Sequence, residues 1–79
     1  MFLRAAPRFN FGGGFMVTVN GIPAEVSGSS IAQLVAQGGY QPQRVAVELN
    51  EQIVPKAQYE ATVVQDGDKV EIVGFVGGG

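Results

Sequence analysis

The chain contains no cysteine and no histidine. The first absence excludes disulfides, thiol nucleophiles and thiolate metal sites. The second removes the usual proton shuttle near neutral pH. Charge is sparse as well: 15% of the 79 residues are charged, against an apolar fraction of 46%. That balance describes a globular chain rather than a disordered one. No apolar run approaches a membrane span, so a soluble protein without a membrane partner is expected. With no nucleophile, base or metal-ligand constellation, an independent enzyme is disfavoured.

What charge there is leans acidic. From Met16 onward there are three bases, Arg44, Lys56 and Lys69. They face seven acids: Glu25, Glu48, Glu51, Glu60, Asp66, Asp68 and Glu71. Nucleic acid is a poor partner for such a surface, and a protein with a basic docking face is a better one. The length allows at most one domain.

Residues 1–15 differ from the rest. Arg4 and Arg8 are their only charges, Pro7 interrupts them, and Gly12-Gly13-Gly14 reads as a linker. This stretch is expected to be a disordered extension, with Met16, directly before the first strand, a candidate natural start. The triple glycine is not a phosphate loop, because no Lys-Ser or Lys-Thr follows it.

Val17 and Val19 alternate into Asn20-Gly21, the favoured pair of a two-residue hairpin, and Ile22, Ala24 and Val26 return. Ser30 with Gln33 forms a capping box ahead of Ile31, Leu34 and Val35, which make one helical stripe; Gly38-Gly39 ends it. Pro42 leads into a strand carrying Val45, Val47 and Leu49, and Asn50 turns the chain. Ile53-Val54-Pro55 reads as a very short edge strand. A connector over 56–62 should pin Tyr59 against the core, and Asp66-Gly67-Asp68 should be a tight turn rather than a metal site. The last strand is predicted over 69–76. The expected fold class is α+β, with four to five strands in a mixed sheet and one helix covering Val17, Val19, Ile22, Val26, Val47 and Ile72.

Three glycines, Gly77, Gly78 and Gly79, close the chain. Glycines there add no core. They offer a thin arm that brings a carboxylate into a narrow channel, and Val76 to Gly79 reach roughly 13 Å when extended. Val73 and Phe75 fall on the strand face opposite Val70 and Ile72. With Val76 they form a candidate docking surface beside the arm.

This order of elements with a bare glycine tail resembles the ubiquitin-like β-grasp fold. The second half is more specific. Asn50, Ile53-Val54-Pro55-Lys56, Tyr59, Gln65-Asp66-Gly67-Asp68, Val70-Glu71-Ile72 and the terminal Gly-Gly resemble the ThiS sulfur carrier family of thiamine biosynthesis. The resemblance covers residues 16–79 and implies a β-grasp domain over 16–76 with a flexible tail at 77–79. It implies a protein substrate rather than a catalyst. An E1-like adenylyltransferase, ThiF, would use ATP and magnesium to adenylate the Gly79 carboxylate. A sulfur donor system would convert it to a thiocarboxylate, and thiazole synthase, ThiG, would receive the sulfur. No cofactor would be bound by the chain itself, which would be a cytoplasmic monomer on its own. The alternative is the small subunit of molybdopterin synthase or a ubiquitin-like protein modifier. The chain departs from the family pattern in its first 15 residues and in the third tail glycine, Gly77.

Overall fold

In the computed structural model, which describes residues 16–75, five strands form one mixed sheet with a single helix on one face. The strands are β1 (Val17–Val19), β2 (Ile22–Ala24), β3 (Val45–Leu49), β4 (Gln52–Ile53) and β5 (Lys69–Gly74), and the helix α1 spans Ile31–Gln37. The sheet order is β2-β1-β5-β3-β4. Strand β5 runs parallel to β1 and antiparallel to β3. This is a β-grasp, with the last strand at the centre of the sheet.

Both hairpins turn on two residues of positive φ. Asn20 (52°) and Gly21 (82°) join β1 to β2, as the Asn-Gly pair predicts. Asn50 (53°) and Glu51 (71°) join β3 to β4. The second pair is less legible, because a glutamate is an uncommon occupant of left-handed backbone.

The helix is only 7 residues long and would be marginal in isolation. Its ends are closed by the predicted devices. The Ser30 hydroxyl accepts from the Gln33 N–H at 3.1 Å, and the Gln33 side-chain oxygen accepts from the Ser30 N–H at 2.8 Å. At the other end, the Tyr40 N–H donates to the Val35 carbonyl and the Gly39 N–H to Ala36, with Gly39 at φ 81°; this is a Schellman motif. The connector completes the start of the helix. Ile31 and Ala32 donate their N–H groups to the carbonyls of Thr62 and Tyr59, so two of the orphan donors of the first turn are satisfied by tertiary structure.

Ile31, Leu34 and Val35 pack on Val17, Val47 and Val70 to make the core, and Tyr59 is buried beneath the connector as expected. Two expectations need correction. Ile22 is 68% exposed. Its register opposite Val19 puts it on the helix side, but it lies on an edge strand beyond the reach of a two-turn helix. The last strand also stops at Gly74 rather than at Val76, which lies outside the described residues with the glycine tail and residues 1–15.

The turn before β5 is more than a turn. Asp68 is 1% exposed: its carboxylate accepts from the Gln65 N–H at 2.9 Å and from the Asn50 side-chain amide at 3.0 Å. The Asn50 side-chain oxygen accepts from the Lys69 N–H at 3.0 Å. Asn20 likewise serves twice. Besides turning the hairpin, its side-chain oxygen accepts from the Ile72 N–H at 2.7 Å. Strand β1 ends at Val19, so this side chain replaces the backbone partner that β5 would otherwise lack.

Candidate functional site

The candidate site begins where β5 ends. Alternation along this strand buries Val70 and Ile72 and leaves Val73 and Phe75 exposed at 55% and 58%. Val73 stands opposite Ala46 on β3. On that same open face, Glu48 is paired with both Glu71 and Ile53, and Ile53 is 61% exposed. The side of the sheet that no other described element covers therefore carries Val73, Ala46 and Ile53 in neighbouring positions, rimmed by Glu48 and Glu71. From sequence, Ile53 is expected as part of an edge strand and of the family motif, but not as part of this patch. The signal was there: the turn at 50–51 places residue 53 opposite residue 48, on the solvent face.

Phe75 follows the strand and is tied to it by one backbone bond, from its N–H to the Arg44 carbonyl at 2.8 Å. Its ring borders an open cleft of about 340 Å³ shared with Gly39, Tyr40, Arg44, Val45 and Gly74. A Cβ at Gly74 would meet no atom within 4 Å, so crowding does not require glycine there. The Lys56 ammonium lies 5.9 Å from the centre of the Phe75 ring. Lysine over an exposed aromatic face is worth about 0.5–1 kcal/mol. Arg44 is the second cation at this end of the sheet.

The third, Lys69, is at the opposite end, 3.7 Å from Glu71 and 4.0 Å from Glu51, all well exposed. Such pairs contribute little to stability. Among the described residues no group of three or more Asp, Glu, His or Cys comes together, and no helix is long and apolar enough to cross a membrane. Of the sequence-predicted site residues, Val73 and Phe75 are brought to the root of the tail. Val76, Gly77, Gly78 and Gly79 lie outside the described residues.

Residues 17–79 match the ThiS family. The chain belongs to that family. The match runs through the three final glycines and leaves out the first 16 residues. The chain is 33% identical over 64 residues to the sulfur carrier protein ThiS of Thermus thermophilus, covering 81% of this chain and 100% of that protein. It is 44% identical over 64 residues to a thiazole synthase of Paramagnetospirillum magneticum, covering 80% of this chain. There it spans only 20% of the longer protein. Among solved structures, the crystal structure of the thiamine biosynthesis protein ThiS from Geobacter metallireducens superposes with a TM-score of 0.67 at 38% identity, covering 81% of this chain and 99% of that one. The β-grasp expected of a ThiS member is thus the fold observed.

Proposed function

We propose that this ThiS-family chain is a sulfur carrier of thiamine biosynthesis, working through the carboxylate of Gly79. The observation that carries the reading is the family match itself, which extends through Gly77, Gly78 and Gly79. A carboxylate is a poor electrophile. In the proposed cycle one Gly79 oxygen attacks the α-phosphorus of ATP on the E1-like enzyme ThiF, and pyrophosphate leaves. Magnesium and ATP belong to that enzyme. A persulfide sulfur of the donor system then attacks the acyl-adenylate carbonyl and AMP leaves. A second thiol of that system cleaves the S–S bond of the resulting acyl disulfide, which leaves the thiocarboxylate on Gly79 and a disulfide on the donor. The absence of a Cβ at the last three residues keeps the carbonyl open to both the nucleotide and the incoming sulfur.

Thiazole synthase, ThiG, is the acceptor in this reading. Support comes from the thiazole synthase relatives, in which a segment similar to this chain makes up a fifth of the protein. The same relatives favour thiazole formation over molybdopterin synthesis. Phe75 and Val73, with Val76, dock the activating enzyme while the tail enters its channel, and the carrier is a cytoplasmic monomer between encounters.

The test is intact mass. Incubation with ThiF, ATP and a sulfur donor is expected to add the mass difference between sulfur and oxygen, localised to Gly79. Deleting Gly79 should abolish the gain and leave the melting temperature unchanged. A truncated chain that still accepts sulfur would sink the proposal.

A further inference from the structure

We infer that Lys56 is a positioning residue, which sets how the Phe75 ring is presented at the root of the tail; this rests on the docking reading above. The backbone register explains why a side chain is needed there. Strands β3 and β4 pair Leu49 with Gln52 and Glu48 with Ile53, and the Val54 N–H donates to the Val47 carbonyl at 2.9 Å. Continued in that register, the ladder would next join the Lys56 N–H to the Val45 carbonyl. It does not continue. Pro55, at φ −62°, leads into a 3₁₀ turn over Lys56–Gln58, which carries the backbone away from β3. The Val45 carbonyl is instead met by the Lys56 side chain, whose Nζ donates to it at 3.3 Å.

That same Nζ faces the Phe75 ring at 5.9 Å. An ammonium has three donors on one atom, so it holds the strand carbonyl and faces the aromatic together. Phe75 thereby acquires a second point of attachment. Its backbone is fixed by the Arg44 carbonyl, and its ring is fixed by Lys56. Nothing else in the register demands a cation at this position: a neutral side chain would leave the fold's other hydrogen bonds intact. A ring held in one orientation loses less side-chain freedom when a partner closes on it, which is how preorganisation raises affinity.

The experiment uses the full chain with Lys56→Met, Lys56→Arg, Phe75→Ala and the Lys56→Met/Phe75→Ala pair. Binding to ThiF in the presence of ATP is measured by calorimetry, and the Phe75 ring is followed by aromatic NMR. Lys56→Met is expected to shift the Phe75 ring signals and weaken binding about two- to fivefold, the loss of one exposed cation–π contact. Lys56→Arg should retain most of the affinity. On top of Phe75→Ala, Lys56→Met should cost nothing further. Unmoved Phe75 signals in Lys56→Met, or an equal loss with and without the ring, would overturn the inference. Wild-type binding by Phe75→Ala would instead overturn the docking reading, and the ring signals would still decide whether Lys56 holds Phe75.

Discussion

The two ends of β5 are built to opposite specifications. At the Lys69 end, side chains are consumed by backbone. Asn50 accepts from the Lys69 N–H, Asp68 accepts from Gln65 and Asn50, and Asn20 accepts from the Ile72 N–H. At the Gly74 end a single backbone bond holds Phe75, its ring is more than half exposed, and an open cleft lies beside it. One end anchors the central strand and the other presents it. Polar groups buried where β1 runs out must be satisfied within the chain. On the proposed docking reading, the apolar groups left uncovered at the other end are covered by a partner.

The contrast can be broken by substitution. Ile72→Ala removes a buried side chain from the anchored part of the strand and is expected to cost about 2–5 kcal/mol in thermal or denaturant unfolding. Its effect on ThiF affinity, once folded, should be small. Phe75→Ala should do the reverse, weakening ThiF binding about thirtyfold, the loss of roughly 2 kcal/mol on truncating an interface aromatic. Its melting temperature should stay near wild type. If Phe75→Ala unfolds the chain and Ile72→Ala does not, the roles of the two faces are inverted.

Asp68→Asn tests whether the anchored end needs a carboxylate. The buried oxygens of Asp68 accept from two different donors, and an amide can offer an oxygen to only one of them. A loss of about 1–3 kcal/mol is expected, that of one unsatisfied buried group. A neutral result would show that this end relaxes freely. The smallest effect concerns Tyr59, under the connector between the two ends. Burial raises its pKa above 10.0, since the charged phenolate is the form penalised. The folded state therefore prefers the neutral ring. Its contribution is complete below pH 10 and is lost as pH rises through the raised value. Wild type should lose stability relative to Tyr59→Phe in alkaline melts above pH 10, and parallel curves would refute it.

Much of this was legible along the chain. Asn20-Gly21, the Ser30–Gln33 capping box and Gly38-Gly39 work within a few residues, so the first hairpin and the helix could be located before any long-range contact was known. The exposed faces of Val73 and Phe75 followed from alternation. Ile53 reads from sequence as an edge-strand residue, but its place in the patch depends on a register across the turn at Asn50-Glu51, where Glu51 adopts a backbone that glutamate seldom takes. Ile22 was assigned to the core because alternation names a face but not how far the helix extends over it.

What the sequence by itself determined is therefore local: the turns, the caps, the two faces of each strand, and the glycines that mark the family. Backbone sterics and hydrogen bonds over a few residues suffice for these. Only the tertiary structure decided that Asn20 would complete a hydrogen bond 52 residues away, that Asp68 would be buried rather than merely turn the chain, and that Lys56 would replace a missing ladder bond beside Phe75. Each of those depends on where two distant segments stop running alongside one another. A polar group then needs a partner, and no pattern within either segment reveals which side chain will supply it.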